Sequence, residues 1–285
     1  MRMGMFNRLG MIALAALVAI PIGSACSEAQ QPPGLDVPYV PTPPEVVAQM
    51  LALAAPTKND VLYDLGSGDG RIVITAAQRF GLRGLGVDLD PDRIQEANAN
   101  AKQAGVTDRV RFLRQDLYKT DLRPATIVTL YLLPRVNIEL RPRLFEQLRP
   151  GTRVVSHAFS MEDWEPDSMV TVNRNEGIGS ATVYYWVIPA QVAGTWTVTT
   201  PERRRYPVKV QQQFQKFTGN ATVGGRSAQL ANPKLVGDQI SFTLTDSVNG
   251  RLVTRQFSGR VTGNTIRGNV AGGGAWTATR TGGTK

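Results

Sequence analysis

A glycine-rich turn between a short apolar strand and a helix is the feature that most constrains the fold. The segment runs from Val61 to Gly70 and places Gly66, Gly68 and Gly70 at alternate positions after the acidic Asp64. Glycine tolerates positive φ and lets a ligand approach the backbone closely. In open α/β sheets, ligands bind beyond the carboxyl ends of the strands. The turn therefore predicts a mainly parallel α/β sheet with a ligand site at its carboxyl edge.

The spacing of the glycines distinguishes between ligand classes. A dinucleotide-binding turn requires Gly-x-Gly-x-x-Gly, and Arg71 stands where its third glycine would be. A phosphate-binding P-loop requires Gly-Lys followed by Ser or Thr, which this turn lacks. Gly-x-Gly-x-Gly after an acid resembles the first motif of class I methyltransferases. That resemblance implies an S-adenosylmethionine site that includes Asp64, Gly66, Ser67, Gly68 and Gly70.

Two further acids end the next two predicted strands. Asp88 lies 22 residues after Gly66, and Asp116 closes the segment that begins at Phe112. A carboxylate after the second strand can accept hydrogen bonds from both ribose hydroxyls of an adenosine. In the methyltransferase fold, the group that reads the adenine amine follows the third strand. We therefore predict that Asp88 and Asp116 bind the cofactor.

Strands and helices alternate along the first two thirds of the chain. This alternation predicts a parallel sheet covered on both faces, and a final hairpin (168–173 and 180–188) completes seven strands. The predicted strands before it are 60–65, 82–88, 109–113, 125–132 and 152–156, and the predicted helices are 44–55, 70–80, 91–104 and 135–148. We expect a Rossmann-like seven-stranded methyltransferase sheet in a domain spanning residues 31–189.

The sequence changes character after Pro189. Residues 190–285 carry 13 Lys or Arg against 3 Asp or Glu, whereas the preceding 189 residues carry 19 against 20. Apolar residues alternate with period two between turn signals such as Asn249-Gly250. The predicted strands are 195–199, 208–214, 240–244, 252–257, 265–270 and 276–279. We expect a small antiparallel all-β domain of unknown role. Its basic surface either contacts an anionic surface or membrane or is an ordinary solvated face.

The first 30 residues resemble an export signal rather than part of the fold. Arg2 and Arg8 precede an unbroken apolar run of 12 residues, Met11 to Ile22, which is short for a membrane span. The only cysteine, Cys26, follows in a Gly-Ser-Ala-Cys sequence similar to a lipoprotein lipobox. We expect a signal peptide or N-terminal anchor over 1–30, an exported or membrane-anchored protein, and lipidation at Cys26 as one alternative.

Four segments together resemble one methyltransferase family. They are Val37–Pro43, Tyr63–Arg71, Leu130–Pro134 and Leu148–Ser156. The family comprises the seven-stranded protein-lysine methyltransferases, including the mitochondrial enzymes that modify the ATP-synthase c-subunit and the adenine nucleotide carrier. The resemblance covers about residues 37–165. It implies that Tyr39 and Thr42 lie over the methionine end of the cofactor and that the acceptor is a protein lysine.

The acceptor slot of amine-methylating members follows the fourth strand. Many of them carry Asn/Asp-Pro-Pro-Tyr there, whereas this chain has Leu130 to Pro134 without an amide or acid. We take Tyr131 as the candidate catalytic residue, with a role in the core as the alternative. His157, the only histidine, is interpreted as a packed structural residue, with a general base as the alternative.

These observations predict a methyltransferase that uses S-adenosylmethionine and acts on a protein lysine. We expect neither a metal site nor a nucleic-acid partner. Because S-adenosylmethionine is made in the cytosol, an export signal leaves a second hypothesis. In it the protein is an exported, non-catalytic binding protein with a remnant methyltransferase fold.

Overall fold

The computed structural model describes residues 39–173, 179–248 and 251–282. The predicted leader, Cys26 and the first two residues of the Val37–Pro43 segment lie outside the described residues. No helix within the described ranges is long and apolar enough to span a membrane.

A seven-stranded sheet occupies the first part of the chain, as predicted. Its strand order is β3-β2-β1-β4-β5-β7-β6, with β1 to β5 parallel and β7 antiparallel to both of its neighbours. The strands are β1 Val61–Leu65, β2 Arg83–Asp88, β3 Val110–Arg114, β4 Ile127–Leu130, β5 Arg153–His157, β6 Ser168–Asn173 and β7 Ser180–Val187. The helices are α1 Pro44–Ala54, α2 Arg71–Phe80, α3 Pro91–Gln103 and α4 Pro134–Gln147.

Two apolar cores cover the two faces of this sheet. The first is formed with α1, α2 and α3, and glycine permits the close packing, since a Cβ on Gly84 would lie 2.3 Å from the Val73 side chain. The second is formed with α4 and includes the fully buried Trp164 and Trp186.

The fourth strand is shorter than the sequence predicted. It ends at Leu130, so that Tyr131 and Leu132 leave the sheet at its carboxyl edge. Their departure places both residues at the ligand site described below.

A second, nine-stranded antiparallel sheet follows, in the order β11-β10-β9-β8-β16-β15-β14-β13-β12. It is barrel-like, because β10 near one edge contacts β12 at the other. A separate core fills it, with Phe242, Phe257 and Trp276 in mutual ring contact. The strands are β8 Gly194–Thr199, β9 Arg205–Gln213, β10 Lys216–Val223, β11 Arg226–Gln229, β12 Ala231–Val236, β13 Gln239–Val248, β14 Arg251–Thr262, β15 Thr265–Val270 and β16 Ala275–Gly282.

The sequence prediction of this sheet was incomplete, because β10, β11 and β12 were not foreseen. The buried positions of β10 are Phe217, Gly219 and Ala221, and the two small residues give little apolar alternation. In β12 only Leu235 is buried. Their pairing partners, rather than local pattern, hold these strands in the sheet.

The two sheets meet at the tip of the β9–β10 hairpin. The Phe214 ring lies 6.1 Å from the Trp164 ring and 5.6 Å from the Phe145 ring of α4. The Trp164 indole N–H donates to Gln215 Oε1 at 2.9 Å, and Lys216 pairs with Glu165 at 2.6 Å. The cores of the two sheets therefore share a packed junction, and the domain boundary between residues 189 and 190 stays a prediction.

Replacing Phe214 with alanine tests this junction. We expect Phe214→Ala to lower the free energy of unfolding by about 2 kcal/mol, less than a buried Phe→Ala because the ring is half-buried. Near-UV circular dichroism should change as Trp164 loses its cover. Gln213→Ala, at an exposed site on the same hairpin, is the control. Equal stability of the two variants would show that the hairpin tip does not stabilise the methyltransferase sheet.

Candidate active site

A cleft opens at the carboxyl ends of the parallel strands. It encloses about 950 Å³, part of which is open solvent at its mouth. Of the ten residues predicted for the site, nine line it: Tyr39, Thr42, Asp64, Gly66, Ser67, Gly68, Asp88, Asp116 and Tyr131.

Gly70 is the predicted residue that does not line the cleft. Its backbone has a φ of 79° at the start of α2, and a Cβ there would lie 2.6 Å from the Phe112 ring. Its N–H donates to the Ser67 carbonyl at 2.9 Å. Gly70 therefore shapes the turn from behind rather than facing the cleft.

The glycine turn presents its backbone to the cleft. Gly66 and Gly68 have φ values of 81° and 51°, a region that disfavours residues with a Cβ. The N–H groups of Gly66 and Ser67 both donate to the Val87 carbonyl at 2.9 Å. The end of β2 thereby holds the turn in place.

The Asp88 carboxylate ties the turn to the next helix. One oxygen accepts the Gly68 N–H at 2.9 Å, and the other accepts the Asp90 N–H at 3.0 Å. Asp90 in turn caps α3 by accepting the Asp92 N–H at 2.8 Å. Each carboxylate oxygen of Asp88 keeps a lone pair for a ligand in the cleft.

Asp116 stands at the opposite wall. It caps a single 3₁₀ turn, Leu117–Lys119, by accepting the Tyr118 N–H at 2.8 Å, and Lys119 lies 3.5 Å from its other oxygen. The Tyr118 hydroxyl, also at the cleft, donates to Glu139 at 2.8 Å.

Asp64 is buried at the floor of the cleft. It accepts a hydrogen bond from the Thr129 hydroxyl at 2.7 Å. Burial raises the pKa of Asp64 to about 7, the negative charges of Asp88 and Asp69 add to the rise, and the Thr129 hydrogen bond opposes it. A cation bound beside Asp64 would therefore lower the pKa of this carboxyl and favour its ionised form.

The segment before α1 covers the glycine turn. The Tyr39 ring lies so close to Gly68 that a Cβ there would be 2.5 Å away, and Arg93 stacks on that ring at 4.6 Å. Arg71, paired with Asp69 at 2.6 Å, donates to the Thr42 carbonyl at 3.0 Å. Sequence reasoning did not single out Arg71, Asp69 or Arg93 for this role, although the first two lie within the glycine motif.

Tyr131 is half-buried and lines the cleft beyond the end of β4; its role as the catalytic residue stays a prediction. Its ring centroid lies 3.8 Å from that of His157. His157 is buried and does not line the cleft, and its Nδ1 is 3.3 Å from the Thr42 hydroxyl. This geometry fits a packed histidine that supports Tyr131 and Thr42.

Two matches to known proteins show the family of this chain. A family model described as the ANTKMT methyltransferase domain matches residues 64–168. A protein-lysine N-methyltransferase of Saccharolobus islandicus (strain REY15A) is 46% identical over 153 residues, which make up 53% of this chain and 94% of the relative. The chain belongs to the ANTKMT methyltransferase family.

Two further relatives are each similar to about half of this ANTKMT-family protein. An adenine nucleotide translocase lysine N-methyltransferase of Mus musculus is 40% identical, covering 48% of this chain and 59% of the relative. An RNA methyltransferase from Salinibacter ruber, solved as a crystal structure in complex with S-adenosyl-L-homocysteine, has 56% sequence identity to this chain. The match has a TM-score of 0.50 and covers 54% of this chain and 96% of that one. The protein is an S-adenosylmethionine-dependent methyltransferase.

The cleft of this methyltransferase fits that cofactor. The Ser67 hydroxyl is buried and lacks a hydrogen-bond partner among the described residues, which leaves it available to a polar ligand. The turn at Gly66 and Gly68 leaves its backbone open, and Asp88 and Asp116 stand on either side. The specific contacts assigned to these residues stay predictions.

Asp88→Ala tests the predicted ribose contact. Because a charge-assisted pair of hydrogen bonds is lost, we expect affinity for S-adenosylhomocysteine to fall at least about tenfold, measured by calorimetric titration. Circular dichroism should show a folded chain. Asp92→Ala, at an exposed position of α3, is the control. Unchanged affinity of the Asp88 variant would remove this residue from the site.

The raised pKa of Asp64 predicts a pH-dependent stability of the ligand-free protein. The unfolded carboxyl ionises near 3.8 and the folded one near 7, so stability from this group is present at low pH and is lost as pH rises between those values. Relative to Asp64→Asn, the wild type should lose up to roughly 4 kcal/mol over this range, measured by urea unfolding. Parallel pH profiles for the two proteins would contradict the assignment.

Proposed function

We propose that the protein transfers the methyl group of S-adenosylmethionine to a lysine amine of a protein. Two relatives are named as lysine N-methyltransferases, and the chain covers 94% of one and 59% of the other. The charge of the cleft is the observation that carries the proposal for this chain. Among the described residues its walls include five acidic side chains and two guanidinium groups: Asp64, Asp69, Asp88, Asp90 and Asp116 against Arg71 and Arg93. Arg71 is paired with Asp69, and Asp88 and Asp116 carry most of the remaining negative charge.

An acidic cleft suits a cationic acceptor. A lysine approaches as an ammonium with a pKa near 10.4, and carboxylates attract it toward the mouth. The phosphate backbone of a nucleic acid would instead meet repulsion.

RNA is the second candidate acceptor, and one specific observation favours it. The Salinibacter ruber protein, 56% identical, is named as an RNA methyltransferase. The acidic cleft argues against RNA as the acceptor. The composition of residues 1–189 does so too, because these residues carry no excess of basic side chains. The excess lies after residue 189, beyond the part of the chain that the family model matches.

No finding favours the alternative of an exported, non-catalytic binding protein. A methyltransferase fold that had lost catalysis would not be expected to keep an open glycine turn together with the Asp88 and Asp116 carboxylates. Nor would it be expected to keep a buried Ser67 hydroxyl that has no hydrogen-bond partner among the described residues. The export signal and the cellular location stay predictions.

The chemistry requires a neutral amine held in line with the methyl group. When bound, S-adenosylmethionine supplies an electrophilic methyl group. Tyr131, Leu132 and Val136 line the slot. Desolvation against these side chains lowers the pKa of an entering lysine, which gives up its proton to solvent at the mouth of the cleft. The buried His157 beneath the Tyr131 ring fixes the position of that ring. Holding both reactants in place accounts for most of the rate enhancement expected here.

Acceptor class and the role of Tyr131 are tested together. The protein is incubated with isotope-labelled S-adenosylmethionine in two reactions. One contains the protein fraction of a bacterial lysate, and the other contains the RNA fraction of the same lysate. We expect label in methyl-lysine after protein hydrolysis. Tyr131→Ala should lower the transfer rate at least about tenfold with little change in S-adenosylhomocysteine affinity, and Tyr131→Phe should retain most of the rate.

The controls separate the possible failures. Label confined to RNA nucleosides would overturn the lysine proposal and keep the methyltransferase. Equal losses of rate and cofactor affinity in Tyr131→Ala would show that Tyr131 serves the cofactor rather than the acceptor.

A further inference from the structure

The nine-stranded sheet has two ends with different surroundings. At one end, the β9–β10 hairpin carries Phe214 against Trp164, and the Ala190 N–H donates to the Gly237 carbonyl at 2.8 Å. The opposite end holds the β8–β9 turn and the beginning of β14. We call this opposite end the distal cap, and it comprises residues 200–205, 246–248 and 251–255.

Two ion pairs join the segments of the distal cap into one surface. Arg204 lies 3.0 Å from the buried carboxylate of Asp246, which also accepts the Tyr206 hydroxyl. Arg255 lies 3.2 Å from Glu202. The turn and the β13–β14 hairpin are therefore held side by side.

The charge of the cap is not balanced. All three acids of residues 190–285 are paired within the sheet, since Asp238 binds Arg260 at 2.6 Å. Arg203, Arg205 and Arg251 are exposed and have no acidic partner among the described residues. Three arginines thus present uncompensated charge at one end of the sheet.

The cap also carries an exposed apolar side chain, Leu252, which follows Arg251 in β14. Leu252 is 80% exposed, more than any other large hydrophobic residue in the described ranges. It pairs in register with Ser247, on the outer face of the sheet. A single exposed leucine is ordinary on a protein surface, but a cap that combines an exposed leucine with three exposed arginines has the composition of a bilayer-interface site.

We propose that the distal cap binds the surface of an anionic lipid bilayer. Leu252 enters the boundary between headgroups and acyl chains, and Arg203, Arg205 and Arg251 contact lipid phosphates. A soluble polyanion would use the arginines but gain nothing from Leu252, and the cap offers no exposed aromatic ring for stacking on bases. The inference is independent of the acceptor proposed above.

Vesicle co-sedimentation of the full chain tests the proposal. Vesicles of phosphatidylcholine alone are compared with equal mixtures of phosphatidylcholine and phosphatidylglycerol. We expect tighter binding to the anionic vesicles than to phosphatidylcholine alone, and this difference should shrink at about 1 M salt, where the Debye length is about 3 Å. The double variant Arg203→Gln/Arg251→Gln should bind at least about tenfold more weakly, since each basic residue near such a surface contributes about fivefold. Leu252→Ser should also weaken binding to vesicles.

Matched controls exclude other causes. Arg267→Gln removes an exposed arginine outside the cap, and Met169→Ser removes a 64% exposed hydrophobic residue from the other sheet. Both should bind vesicles like the wild type. Residues 1–30 are the same in every variant, so a difference in vesicle binding between variants is due to the cap. The affinity of each variant for S-adenosylhomocysteine shows whether it is folded.

Three results would overturn the proposal. The first is an absence of binding to anionic vesicles. The second is binding that the cap variants leave unchanged, which would assign it to another part of the chain. The third is heparin binding as tight as vesicle binding, with Leu252→Ser leaving both unchanged, which would make the cap a polyanion site.

Discussion

The carboxylate of Asp88 is the interaction on which the site depends. It accepts the Gly68 N–H and the Asp90 N–H at 2.9 and 3.0 Å, so one side chain fixes the glycine turn and the start of α3. The adjacent Val87 carbonyl holds the other half of the turn through the N–H groups of Gly66 and Ser67. Since the turn has positive φ at both glycines, it needs such external support. The cleft keeps its shape because the end of β2 supplies that support.

The second sheet contributes to the methyltransferase rather than merely following it. One face of the parallel sheet is covered by α1, α2 and α3, whereas the other is covered by α4 and by the segment around Trp164. Phe214 from the second sheet completes this cover. The same segment begins with Phe159, whose ring lies 6.2 Å from that of Tyr131. The junction and the acceptor side of the cleft therefore share one short stretch of chain.

The sequence predicted the parallel sheet and most of the cleft because both depend on local patterns. The glycine turn, Asp88 and Asp116 follow successive strands, and parallel strands bring their carboxyl ends to one edge. Gly70 does not line the cleft, because alternation of glycines does not reveal which one faces a ligand. Strand β10 was missed since Gly219 and Ala221 occupy its buried positions. The Phe214–Trp164 contact joins residues 50 positions apart and has no local signal.

A crystal structure with S-adenosylhomocysteine bound would test the central claim most directly. The account predicts both ribose hydroxyls within hydrogen-bonding distance of Asp88, the adenine beside Asp116, and the sulfur directed toward Tyr131. A ligand whose ribose lies away from Asp88, or whose sulfur faces away from Tyr131, would contradict the assignment of both the cofactor site and the acceptor slot.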